Sequence, residues 1–109
     1  MTTAEVASMI ASIGLDNAYY QFDEGSGMQP PFICFYYPDN NDFVADGQNY
    51  VKVCTLAIEL YTDNKDFALE QAVENVLTSN GFVYSREEIY IEDQRMYEVL
   101  YQTEVIINA

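Results

Sequence analysis

The stretch from residue 50 to residue 61 constrains the fold more than any other part of the chain. Its sequence, YVKVCTLAIELY, is long, apolar and aromatic, and its apolar residues recur at a period of two. One face of such a strand carries Cys54, Leu56, Ile58 and Leu60, and the other carries Val53, Thr55, Ala57, Glu59 and Tyr61. The pattern predicts a strand with one buried face and one face that is partly in water.

The end of the chain has the pattern of a β-hairpin. Residues 82–91 form its first strand, residues 92–95 a polar turn, and residues 96–108 its second strand. In the second strand the residues predicted to share one face are Tyr97, Val99, Tyr101, Thr103, Val105 and Ile107. The other face mixes acidic, amide and apolar side chains, which is typical of a surface that is solvated or covered by another subunit.

Two helices are predicted. The first spans residues 3–13, with Thr2 and Glu5 spaced as a capping box and Gly14 as its stop. The second spans residues 64–79, with Asp63 as its N-cap. Its predicted buried side consists of Phe67, Ala68, Leu69, Ala72, Val73, Val76 and Leu77, and its predicted solvent side of Glu70, Gln71, Glu74 and Asn75.

The remaining segments complete the predicted architecture. Residues 18–23 and 32–37 have strand character, and the Gly- and Pro-rich residues 24–31 form a loop between them. The order of elements is then helix, strands, helix, strands. We therefore expect an α+β fold in one domain, residues 1–109, with two helices packed on one face of a mostly antiparallel sheet.

The charge of the chain limits its partners. The 109 residues include 18 acidic and 4 basic side chains, which gives a formal net charge of −14 at pH 7. Binding of nucleic acid through its phosphates requires clustered Lys and Arg, which this chain lacks. The acidity is open to three interpretations: solubility alone, a surface along which DNA slides without adhering, and a surface that imitates DNA.

Few residues of the chain are typical of catalysis. There is no histidine, and no phosphate-binding, dinucleotide-binding or nucleophile-elbow motif occurs. The acidic segment from Asp42 does not match a calcium-binding EF-hand loop, because Val44 and Val53 stand where ligands are required. Cys34 and Cys54 lie in apolar, strand-like runs and are expected to be free thiols. We expect neither cofactor nor metal and no enzymatic activity, although a pair of catalytic carboxylates remains an alternative.

The composition also bears on location. No apolar stretch approaches the roughly 20 residues that span a bilayer, and the first residues lack the basic start of a signal peptide. We therefore expect no contact with membranes, and synthesis in the cytoplasm.

The second half of the chain resembles a known family. The runs VKVCTLAIELYTDNKDFALEQAVENVL and YIEDQRMYEVLYQTEVIINA are similar to those of small prophage proteins from Gram-positive bacteria. Those proteins are tail-completion or tail-terminator components of phages with long flexible tails. The resemblance implies a structural protein of the virion, assembled in the host cytoplasm. It also implies a homo-oligomeric ring, commonly a hexamer, that contacts the tail tube and the head connector.

Two segments are the candidate contacts with subunits or partners. Residues 39–49 are polar but contain two apolar residues and an Asp46-Gly47 turn signal, as expected either for a contact arm or for a long connection whose Phe43 enters the core. The mixed face of the last strand is the second candidate. Together the candidate residues are Asp39, Asp42, Phe43, Val44, Asp46, Glu98, Leu100, Gln102, Glu104 and Ile106. Ten tyrosines, more than one small core needs, also favour a protein partner.

A second function fits the same charge. A small acidic protein can block a host DNA-binding protein by imitating DNA, and this is the alternative to the tail terminator. It requires acidic residues arrayed on one face, whereas the sequence spreads them over loops and both helices. The sequence therefore favours the tail protein.

Overall fold

The computed structural model describes residues 1–21 and 28–108, so parts of the predicted strand 18–23 and loop 24–31 lie outside the described residues. A single turn of 3₁₀ helix, Glu92–Gln94, joins the last two strands. In chain order the other elements are α1 (Thr3–Ala11), β1 (Asp16–Tyr19), β2 (Phe32–Tyr36), β3 (Phe43–Ala45), β4 (Gln48–Val51), β5 (Val53–Thr62), α2 (Phe67–Ser79), β6 (Tyr84–Ile91) and β7 (Met96–Ile106).

Five strands form one sheet in the order β1-β2-β5-β7-β6. β1 runs parallel to β2, and the other neighbouring strands are antiparallel. β3 and β4 form a separate two-stranded antiparallel sheet. The predicted α+β fold with a mostly antiparallel sheet is confirmed.

The core lies between the helices and one face of the five-stranded sheet. β5 pairs with β7 from Val53 opposite Ile106 to Thr62 opposite Tyr97, which places the predicted apolar faces of both strands on the same side. Both helices pack on this side, as predicted. The buried core consists of Val6, Met9, Ile10, Ile33, Phe35, Cys54, Leu56, Ile58, Leu60, Val73, Leu77, Val99, Tyr101 and Val105.

The N-terminal segment confirms its predicted cap. The Thr2 hydroxyl accepts a hydrogen bond from the Glu5 N–H at 3.1 Å, and the Glu5 carboxylate accepts one from the Thr2 N–H at 2.9 Å. α1 ends at Ala11, earlier than predicted, and Gly14 follows with a φ of 91°. The Met1 amino group donates to the Ile106 carbonyl at 2.9 Å, so the start of the chain lies along the edge of β7.

The predicted strand 50–61 is divided, so that prediction was wrong at its start. Residues up to Val51 pair with β3, whereas the Lys52 carbonyl accepts a hydrogen bond from the Ile107 N–H at 2.9 Å. The chain therefore changes partners at Lys52, and the strand of the main sheet begins one residue later. β1 also starts earlier than predicted, at Asp16, and Tyr20, with a φ of 70°, follows its end.

The start and the solvent side of α2 also differ from the prediction. Asp66, and not Asp63, caps the helix by accepting a hydrogen bond from the Leu69 N–H at 3.0 Å. Phe67, predicted to be buried, is 72% exposed, and Ala68 is exposed as well. The residues buried against the sheet are Glu70, Val73 and Leu77, and Phe67 lies about a quarter turn away from that side.

Glu70 was predicted to face water, but it is only 4% exposed. Its two carboxylate oxygens accept hydrogen bonds from Lys65 and Arg86, and Lys65 also pairs with Glu88. A buried carboxylate requires partners of opposite charge, and the sheet supplies one of them from β6. Two of the four basic residues of the chain are therefore used to join α2 to β6.

The ion-pair network gives the first prediction. Replacement of Glu70 by Ala removes the acceptor that Lys65 and Arg86 share, and we expect it to lower the free energy of unfolding by about 2 kcal/mol. The urea concentration at the midpoint of unfolding should fall, while the slope of the free energy of unfolding against urea concentration (the m value) stays unchanged. Gln71→Ala, on the exposed side of the same helix, should change stability by less than about 0.5 kcal/mol. Equal effects of the two substitutions would show that the network contributes nothing.

Candidate interaction surface

Residues 43–51, which we call the arm, form a hairpin outside the main sheet. β3 pairs with β4, and the chain reverses at Asp46 and Gly47, whose φ angles are 53° and 73°. An Asp-Gly pair with two positive φ angles is the preferred two-residue turn of a β-hairpin. The predicted turn at these residues is therefore confirmed, and the local sequence explains why the arm folds back on itself.

The arm exposes its apolar residues. Phe43 is 60% exposed, Val44 is 59% exposed and Tyr50 is 75% exposed. The alternative in which Phe43 enters the core is therefore wrong. The arm belongs to a molecule with extents of 50 × 30 × 23 Å, an elongated shape for a chain of this length. Exposed aromatic and branched side chains on a projecting hairpin are typical of a surface that binds another protein.

Two of the predicted contact residues hold the base of the arm. The Asp42 carboxylate accepts hydrogen bonds from the Val53 N–H at 2.9 Å and from the Asn49 amide at 2.8 Å. The Thr55 hydroxyl donates to the Asp39 carboxylate. The bond from Asn49, with further bonds from Asn40 and Val53, holds the pKa of Asp42 below its ordinary value. Asp39 and Asp42 thus fix the arm to β5, and Asp46 lies at its tip.

The other predicted contact residues lie on the face of the sheet opposite the helices, which we call the open face. Glu98, Leu100, Gln102, Glu104 and Ile106 alternate with the buried residues of β7. Gln102, Glu104 and Ile106 are exposed, and Glu98 and Leu100 are half-buried. The register adds neighbours on both sides that the sequence did not single out: Glu59 and Tyr61 from β5, and Glu87 and Ile89 from β6.

The open face is acidic and aromatic. Glu59 accepts hydrogen bonds from the hydroxyls of Tyr36 at 3.2 Å and Tyr61 at 3.1 Å. Burial, together with the charges of Glu59 and Glu87, raises the pKa of Glu98. Burial and the charge of Glu59 also raise the pKa of Tyr36 to about 12. Within the described strands, no Lys or Arg occupies a position on this face.

The base of the arm and the open face adjoin each other. Thr55, which donates to Asp39, lies directly opposite Glu104 in the β5–β7 pairing. A groove of 720 Å³ extends from this junction to the start of β6, and the residues that line it include Asp39, Thr55, Ser85 and Glu104. The two segments predicted separately from the sequence therefore form one continuous surface.

Sequence reasoning missed some of the residues on this surface. Tyr50 was assigned to the long strand, although the Asp46–Gly47 turn indicates that a partner strand must follow it. Glu59 and Tyr61 were placed on the partly wet face of the strand, but only the register brings them beside Glu98. Glu87 carries no sequence signal that distinguishes it from the other acidic residues.

Two other kinds of site are absent from the described residues. Over residues 1–21 and 28–108, no group of three or more Cys, Asp or Glu side chains is placed to hold a metal ion. No helix in the same ranges is long and apolar enough to cross a membrane. Cys34 and Cys54 are buried and form no disulfide with each other, as expected.

The sequence matches no model of a known protein family, and no curated protein sequence is significantly similar to it.

The base of the arm should loosen in acid. Because the folded pKa of Asp42 is lowered, its stabilising contribution is present above the unfolded pKa, near 4, and is lost as pH falls through the folded pKa. The protection factor of the Val53 amide hydrogen against exchange with solvent can be measured by NMR. We expect it to fall as the pH falls through the folded pKa of Asp42. Asp42→Asn leaves one oxygen for two donors, so it should reduce the protection at neutral pH. Asp46→Asn, the same change at the tip, should leave the protection unchanged.

Proposed function

We propose that this protein is a structural subunit of a phage virion, a tail terminator or tail-completion subunit. In this proposal, copies of the chain form a ring, commonly a hexamer, that closes the tail tube and faces the head connector. The exposed arm, residues 43–51, is the observation that carries the proposal. The resemblance of the second half of the sequence to tail proteins gives its direction.

The arm suits a head-to-tail contact between subunits. A ring requires a surface on one subunit that fits a different surface on the next, because identical patches facing each other close into a dimer. A hairpin that places Phe43, Val44 and Tyr50 in solvent provides such a one-sided projection. Insertion of these side chains into the neighbouring subunit would bury apolar area that a free chain leaves in water.

The acidic open face fits either of two positions in the proposed ring. It could line the channel through which DNA passes, or it could contact a tube or connector protein. DNA that moves through a ring experiences repulsion from glutamates, and this prevents adhesion. A basic surface on a tube or connector protein would instead be attracted to the same glutamates. On either side of the ring, the protein acts through the shape and charge of its surface and not through catalysis.

The DNA-mimic alternative gains one supporting observation. The sequence spreads acidic residues along the whole chain, but the sheet collects Glu59, Glu87, Glu98 and Glu104 on its open face. A mimic would compete with DNA for a DNA-binding host protein. Recovery of such a protein from host lysate by the purified chain, and its release by added duplex DNA, would favour the mimic over the tail subunit.

The main test of the proposal is electron microscopy of particles made without this gene. We expect tails of irregular or excessive length, or tails and heads that remain unjoined. A plasmid copy of the wild-type gene should restore normal particles. Normal particles in the absence of the gene would contradict the proposal.

A matched pair of substitutions tests the arm. Phe43→Ser removes an exposed aromatic ring from the arm, and Phe67→Ser removes a ring that is also largely exposed, from the start of α2. Because the few residues that dominate an interface each cost more than about 1 kcal/mol when truncated, and the arm would place Phe43 among them, we expect Phe43→Ser to reduce ring formation or particle rescue by roughly tenfold. Phe67→Ser should rescue particles as the wild type does. The melting temperatures should show whether both chains remain folded, and full rescue by Phe43→Ser would exclude the arm as the contact.

A further inference from the structure

The outer edge of β6 is the longest free strand edge of the main sheet. β6 is the last strand in the order β1-β2-β5-β7-β6, and within the described residues no strand pairs with its outer side. Its pairing with β7 is regular over the whole length, from Tyr84 opposite Thr103 to Ile91 opposite Met96. All residues between these two ends of β6 are exposed. A long, regular, open edge is a template for pairing with another chain.

The hydrogen bonds of β7 determine which groups of β6 point outward. The Ile107 N–H donates to Lys52 on the β5 side, whereas the Ile106 carbonyl accepts from Met1 on the opposite side. Successive residues of a strand direct their N–H and C=O groups to opposite sides. The N–H and C=O groups of the even-numbered residues of β7 therefore form hydrogen bonds with β6. Their partners in β6 are Ser85, Glu87, Ile89 and Ile91. The N–H and C=O groups of Tyr84, Arg86, Glu88 and Tyr90 therefore point away from the sheet.

We propose that β6 pairs antiparallel with β6 of a second copy of this chain, around a two-fold axis at Glu87. Outward groups must face outward groups, so the registers available differ by steps of two residues. A pairing centred on Arg86 sets Arg86 against itself, and one centred on Glu88 sets Glu88 against itself. The pairing centred on Glu87 sets Arg86 opposite Glu88 of the second copy, and Tyr84 opposite Tyr90.

Charge and cross-strand contacts thus select the register. Arg86, which already pairs with Glu70 and Glu88 of its own chain, also lies directly opposite Glu88 of the second copy in this register. Tyr84 lies opposite Tyr90, and opposite charges and aromatic rings across antiparallel strands stabilise their pairing. The side chains of Arg86 and Glu88 are 35% and 38% accessible, so α2 leaves the outer side of β6 open. The pairing continues the sheet across the axis and covers the free edge of both copies.

One contact in this dimer is unfavourable. Glu87 lies on the axis, where it meets Glu87 of the second copy on the open face, and like charges directly opposite each other destabilise paired strands. The dimer is therefore reversible. Because the contact is isologous, it closes at two subunits. It does not involve the arm, so it goes beyond the proposed ring and stands independently of it.

A single cysteine at the axis tests the register. Residues directly opposite each other in a non-hydrogen-bonded antiparallel pair have Cα atoms about 4.5 Å apart, within the range that a disulfide spans. Under mild oxidation, Glu87→Cys should form a covalent dimer, read by intact mass and non-reducing electrophoresis. Ser85→Cys and Ile89→Cys should each stay monomeric, because each lies opposite the other position. The double variant with both substitutions should cross-link. The wild type, whose two cysteines are buried, is the baseline.

The cross-linking results distinguish the β6–β6 pairing from other contacts between two copies. A Glu87→Cys chain that stays monomeric overturns the proposal, and so does cross-linking of Ser85→Cys at the same rate. Sedimentation equilibrium gives a second readout: Glu87→Gln should tighten the dimer several-fold by removing the like-charge pair. Addition of Phe43→Ser to Glu87→Cys should leave cross-linking unchanged, so failure of the arm and failure of the β6 edge are distinguishable.

Discussion

The antiparallel pairing of β5 with β7 decides which face of the sheet every strand residue occupies. Ten consecutive residue pairs, from Val53–Ile106 to Thr62–Tyr97, run without a bulge, so apolar side chains collect on the helix side and glutamates on the other. A shift by one residue would exchange the two faces and bury the glutamates. The same pairing fixes the direction of the backbone groups of β7. Through them it also fixes which groups of β6 remain free.

The scarcity of basic residues gives the second constraint. With 18 acidic and 4 basic side chains, most carboxylates have no cation to pair with. Lys65 and Arg86 lie together around Glu70, where α2 meets β6. The cations therefore stabilise an internal contact, and the open face keeps its charge. This distribution separates the structural role of Glu70 from that of Glu59, Glu87 and Glu98, which lie on the open face, although all four residues are the same amino acid.

The exposed surfaces differ in the kind of contact that they favour. The arm projects apolar side chains that would contact a different surface on the neighbouring subunit, and a contact between two different surfaces suits a head-to-tail assembly. The β6 edge is complementary to itself in one register and suits a closed pair. The open face repels a second copy of itself and attracts only a basic partner. In the ring that we propose, the arm makes the contact between subunits, and the acidic open face is left for a basic partner.

The sequence by itself determined most of the secondary structure. Alternation predicted the strands and their buried faces, and the Thr2–Glu5 spacing predicted the cap of α1, because these signals depend on neighbouring residues. It also identified the Asp46–Gly47 turn and the open-face residues of β7. Only the tertiary structure decided that Lys52 divides the long strand, that Phe67 is exposed, and that Glu70 is buried. Each of these depends on a partner distant in sequence: Ile107 for Lys52, the placement of α2 on the sheet for Phe67, and Arg86 for Glu70. Local periodicity carries no information about such partners, and for the same reason it could not show that the arm and the open face form one surface.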